Sequence, residues 1–167
     1  MSKSFALAAV VWMASSVALA GETAETVEIL RDVHGVPHVF ASTDEGAMFG
    51  AGYAAATDRL YQMRRLSELV GNQIGPDGST LDQDRSFRIR RFYEHCETVA
   101  ENLDDRTRSL LEAYAAGVNQ YVADHAPDLH PLFEGEVPEA WVPADSIACW
   151  DRVGEYFSGS VPTKEPG

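Results

Sequence analysis

The side chains of this sequence that could do chemistry are five histidines, two cysteines and a few close charged pairs. Histidine changes charge near neutrality and serves as acid, base or metal ligand. His34 and His38 lie around Gly35 and could share a ligand, but a histidine in a strand is more often packed and hydrogen-bonded, and that reading is preferred. His95, His125 and His130 stand apart from them. Arg31-Asp32 and Asp58-Arg59 are neighbouring opposite charges, whose default role is structural ion pairing. Asp82 and Asp84 could bind a cation, but that spacing is too common to specify one. Cys96 and Cys149 make neither a C-x-x-C pair nor a metal-ligand spacing; a disulfide and two buried free thiols both fit. The sequence has no G-x-S-x-G elbow, no H-E-x-x-H and no phosphate-binding glycine loop. Gly50-Ala51-Gly52 is no dinucleotide fingerprint, because Ala55 stands where a third glycine is needed and a helical pattern surrounds it. By residue chemistry alone, no active site is visible.

The elements that would position these groups are mostly helical. Residues 27–41 read as two short strands, with β-branched and aromatic residues on either side of a turn at Gly35. A helix is expected from about 45 to 70, capped by Thr43 or Asp44, with acidic residues at the positive end of its dipole. Gly46, Gly50 and Gly52 in its first half each cost about 1 kcal/mol relative to alanine. They are tolerated where another backbone approaches closely, so this half is expected to be buried against the strands. A turn cluster at Gly75-Pro76-Asp77-Gly78-Ser79 separates it from a charged helix, or pair of helices, over 81–101. The clearest helix spans Asp104 to about Val122, where apolar residues recur every three or four positions. A proline-punctuated loop over 124–143 leads to a last helix from Asp145 carrying Ile147, Cys149, Trp150, Val153, Tyr156 and Phe157. Residues 159–167 have the composition of a linker. Two strands alone are marginal in water, so another segment must complete their sheet.

The N-terminus sets the compartment. Lys3, an apolar run over 5–19 and Ala18-Leu19-Ala20 together form an export signal over 1–20 with its cleavage site, and the run is too short for a membrane span. A periplasmic or secreted location is expected, with no membrane attachment after cleavage. The net charge of −13 becomes one unit more negative once Lys3 is removed. That balance argues against nucleic acid and anionic lipid as partners. Arg64-Arg65 and the arginines of 85–91 have acidic neighbours and read as a solvated or ion-paired face.

Glu28 to Ala41 (EILRDVHGVPHVFA) resembles the strand-turn-strand that opens the α-chain in the penicillin acylase family, where R-D-x-x-G-V-P-H is characteristic. Phe49 to Met63 (FGAGYAAATDRLYQM) is similar to the family's F-x-G-x-G-Y-A-x-A-x-D-R-L-x-Q-M helix. Leu66-Ser67-Glu68-Leu69, the turn at Gly75, the helix around Ala113–Asn119 and Trp141-x-Pro143-x-Asp145 follow in the family's order, so the resemblance covers residues 27–157. It implies an N-terminal-nucleophile hydrolase, made as one exported precursor and cut autocatalytically into an α- and a β-chain. The β-chain would carry the nucleophile, its own α-amino group as base and the oxyanion donors, and would hydrolyse linear amides through an acyl-enzyme.

The implied fold is α+β: this helix-rich α-chain portion, over 21–158 with its hairpin, belongs to an αββα sandwich. The implied partners are the β-chain of the same precursor and a small-molecule amide, such as a β-lactam side chain or an N-acyl homoserine lactone. This chain alone would be inactive, with no catalytic residue of its own. Gly167 is either the residue before the processing site at the end of the 159–167 spacer or simply where the fragment stops. The family's last α-chain helix lines the acyl pocket, and the matching stretch runs from about Gly154 to Ser158. Phenylacetyl-binding members have Met, Arg and Phe there; this sequence does not, so that specificity is not carried over. Tyr156 and Phe157 are the pocket candidates, with ordinary core aromatics as the alternative. Calcium bound by some members is not carried over either, since Val161 to Glu165 does not match its ligand; no metal or cofactor is expected. A competing class is a catalytically inert exported fragment or binding module that keeps the acylase scaffold.

Overall fold

The computed structural model describes residues 17–18, 26–71, 81–126, 128–129, 131–133 and 135–158. Apart from Val17–Ala18, the expected export signal lies outside the described residues. So do the turn at 75–79, His130, the linker over 159–167 and Gly167, and the side chains of Asp82 and Asp84.

The expected strand pair is present. β2 (Thr26–Arg31) runs antiparallel to β3 (Pro37–Phe40), with Ile29 opposite Val39 and Arg31 opposite Pro37. A two-residue strand, β1 (Val17–Ala18), pairs with the outer end of β2. The turn closes because Gly35 takes a φ of +80°, open to glycine at no steric cost. The Asp32 carboxylate accepts the N–H groups of His34 at 2.8 Å and Val36 at 3.0 Å. Those bonds, Val36 first, hold its carboxyl below the usual carboxylate range.

Helix α1 (Asp44–Gly71) starts at Thr43, whose hydroxyl accepts the Gly46 N–H at 2.9 Å. Thr43 is therefore the cap, and Asp44 pairs instead with Arg106. The small residues of α1 are used in two directions. Gly50 faces Val27 and Val39 of the strands, as expected, and Gly52 admits the carbonyl of Tyr114 on α4 (Asp105–His125). The second direction is absent from the sequence-based expectation, and α1 against α4 is the main helix pair of the structure.

The charged stretch forms two helices, α2 (Leu81–Ile89) and α3 (Phe92–Glu101), broken at Arg91, which adopts a left-handed φ of 50°. Asp104 caps α4 through the Thr107 N–H, and α4 continues past Val122 to His125. A short 3-10 turn (Pro131–Phe133) interrupts the following loop. The last helix, α5 (Pro143–Ser158), begins two residues earlier than expected. Pro143 fits the first turn, where its missing N–H is not needed, and Asp145 reaches back to accept the Val142 N–H at 2.9 Å. The main core gathers Ala56, Leu60, Ala115, Val118, Val122 and Trp141, and Cys96 with Ala148 forms a smaller one between α3 and α5. None of the described helices is long and apolar enough to cross a membrane.

Candidate functional site

Helix α5 buries only the start of its length. Ala144, Asp145 and Ala148 are buried, whereas Trp150, Tyr156 and Phe157 are 79%, 75% and 80% exposed. Tyr156 and Phe157 therefore lie outside this chain's own core, because the helix has run past that core before reaching them. Their rings meet edge to face with centroids 5.4 Å apart. This pair offers apolar surface with a phenolic rim.

Glu155, between the core and this pair, is held from two sides. Its carboxylate accepts from Arg90 at 2.7 Å and from Arg152 at 3.3 Å. The same two guanidiniums lie over the Phe87 ring, at 4.8 Å and 5.3 Å from its centroid. Phe87 is only 4% exposed, and it meets Phe92 edge to face. The far end of α5 is thus tied to α2 and the α2–α3 turn. In sequence, Arg90 reads as part of a solvated or ion-paired basic run; the ion pairing is found, but its partner Glu155 is not legible, and the one local cue is the Arg152–Glu155 spacing of three on a helix.

The root of α5 is anchored by the Trp141-x-Pro143-x-Asp145 motif. Asn119 of α4 brackets Trp141, donating to its carbonyl at 2.9 Å and accepting its N–H at 2.7 Å. The Trp141 indole donates to Ser146 at 2.9 Å. Arg64 is buried over the Trp141 ring, donates to the Glu139 carbonyl and stands 4.0 Å from Asp145. Tyr93 donates its hydroxyl to Asp145 at 3.0 Å, and burial, with the Asp145 charge second, pushes that phenol well above its ordinary value.

The neighbouring opposite charges do pair, but crosswise. Arg31 at the end of β2 bonds Asp58 of α1 at 2.9 Å, while Asp32 closes the hairpin turn and faces His38 at 3.5 Å. Arg59 turns to Gln62 at 2.8 Å. Here α1 is kinked, with Arg59 at φ −143° and ψ 18°. Just before the break the Thr57 hydroxyl bonds back to the Tyr53 carbonyl at 2.9 Å, a contact that bends helices. A cleft of about 340 Å³ opens at the kink, lined by residues 56–62 with Tyr121 and Leu129. Among the described residues, no three His, Cys, Asp or Glu side chains are gathered as a metal site.

Cys96 and Cys149 are free thiols. Burial pushes Cys96 up to about 11 and Cys149 up to about 12, and the Cys149 Sγ points at the Met63 carbonyl at 3.6 Å. Neither is suited to act as a nucleophile near neutrality, since the thiolate is the reactive form. The hydroxyls of Ser67, Thr98 and Ser158 are bonded to backbone carbonyls of their own helices.

Known proteins share this architecture. The sequence pattern of penicillin amidase matches residues 26–165. Penicillin acylase 2 proenzyme of Pseudomonas sp. (strain SE83) is 33% identical over 142 residues, covering 81% of this chain and 18% of its own length. Acyl-homoserine lactone acylase QuiP of Pseudomonas fluorescens (strain Pf0-1) is 31% identical over 143 residues, covering 83% and 18%. Penicillin G acylase of Escherichia coli is 30% identical over 140 residues, covering 77% and 16%. The chain thus spans less than a fifth of the length of these relatives. The solved thermostable penicillin G acylase of Alcaligenes faecalis superposes with a TM-score of 0.66 at 28% identity, over 80% of this chain and 75% of that one. Helix content, hairpin and motif order therefore agree with the expected N-terminal-nucleophile hydrolase fold, and the chain belongs to the penicillin amidase family.

Proposed function

We propose that the chain is the α-chain portion of an exported acylase that hydrolyses linear amides through an acyl-enzyme. In this reading the nucleophile, its base and the oxyanion donors lie on a β-chain cut from the same precursor. This chain contributes scaffold and one wall of the acyl pocket, formed by Tyr156 and Phe157. The substrates are β-lactam side-chain amides or N-acyl homoserine lactones, no cofactor is needed, and the enzyme works in the periplasm or outside the cell. The relatives' names support the reaction class.

The observation that carries the reading is the exposed face of α5. Trp150, Val153, Tyr156 and Phe157 offer large apolar side chains outside the chain's own core, as a surface built to be covered does. The test is amine release from both amide classes, measured for the purified chain and for the matured product of the complete gene. The chain alone is expected to be inert and the matured product active. Amide cleavage by the purified chain would overturn the division of labour. A matured product inert on both classes would favour the binding-module alternative.

A further inference from the structure

We propose that Glu155 is a positioning residue for acyl-chain selection, acting through Arg90, Arg152 and Phe87; this rests on the reading that Tyr156 and Phe157 line the acyl pocket. A helix's last turn has unsatisfied carbonyls and frays unless tied down. The last turn of α5 carries Tyr156 and Phe157, whose rings are largely exposed and meet each other. Glu155 ties it down. Its carboxylate is shared by Arg90 and Arg152, both of which lie over the buried Phe87 ring. Each contact fixes the next. The carboxylate holds the two guanidiniums, the guanidiniums lie against the ring, and the ring belongs to α2, a separate element. The neighbouring aromatic pair is thereby presented in one orientation. The geometry assigns Glu155 no part in bond breaking.

The experiment uses the complete precursor, matured, and a series of amides differing only in acyl length. E155A is expected to raise KM for the longest acyl groups roughly tenfold, with kcat within about twofold, because a positioning loss falls on binding of the acyl chain. E155Q, which keeps one acceptor oxygen, should give a smaller shift in the same direction. R90A should reproduce the E155A profile, and E155A combined with R90A should add little to either alone. Y156A and F157A test the underlying reading separately. If they change the profile while E155A and R90A leave it as in the parent, the positioning role is refuted and the pocket assignment stands. If none of the four changes it, both are refuted. Should E155A fail to mature, E155Q and R90A decide the matter in its place, an unchanged profile in both again refuting the role.

Discussion

Two glycines in this chain should respond to the same substitution with opposite sign. A Cβ on Gly117 of α4 would stand 2.0 Å from the Phe49 carbonyl oxygen and 2.9 Å from Tyr53 N. A relaxed carbon–oxygen contact is roughly 3.3 Å, so α1 and α4 would have to part locally by about 1 Å. A gap of that order forfeits roughly a quarter to a half of the dispersion attraction between the facing atoms. Overpacking of this kind costs about 1–3 kcal/mol, and the upper end applies because the obstacle is backbone, which no rotamer change relieves. Alanine's better helix propensity recovers about 1 kcal/mol, leaving Gly117→Ala roughly 2 kcal/mol less stable. Gly154 of α5 has nothing within 4 Å of its Cβ position, so Gly154→Ala keeps the propensity gain alone, up to about 1 kcal/mol. Urea midpoints followed by far-UV ellipticity and tryptophan fluorescence, at an unchanged m value, separate the two variants. A G117A midpoint at or above the parent would refute the close-approach account of the α1–α4 contact.

D145A strips the acceptor from the Tyr93 hydroxyl and the Val142 N–H and leaves the buried Arg64 without its carboxylate. The expected loss is about 3 kcal/mol, and D145N, which keeps an acceptor oxygen, should lose markedly less. Equal urea midpoints for the two variants would show that the acceptor oxygen contributes nothing. Iodoacetamide labelling followed by mass spectrometry should find Cys96 and Cys149 at least about 100-fold slower at pH 8 in the native chain than in urea, because both thiols titrate far above that pH. Their native rates should climb as pH rises toward 11, and rapid labelling of either at pH 8 would contradict their burial.

Local rules carry far in this protein. The hairpin and its turn at Gly35, the cap position before α1 and the start of α4 at Asp104 follow from residue type and spacing, because each is closed by hydrogen bonds spanning three or four residues. The order of the motifs by itself places the chain in its family. The kink at Arg59 is not legible in the same way. Nothing proline- or glycine-like marks it, and its neighbour Asp58 is engaged by Arg31 from the hairpin, which is remote in sequence. The state of the cysteines also needed the fold, since it turns on where α3 and α5 place them.

What the sequence by itself determined is the set of elements, the polar groups available to them and the family. Which groups meet was decided only in three dimensions. Arg31 and Asp32 are adjacent in sequence, yet one reaches α1 and the other turns back to cap the hairpin, because successive residues of an extended chain project to opposite sides. Arg90 and Glu155 lie far apart in sequence and meet because α2, α3 and α5 pack around Phe87 and the small core at Cys96 and Ala148. Periodicity marked Tyr156 and Phe157 as apolar residues of a helix. Only the length of α5 relative to the core it packs on left them outside it.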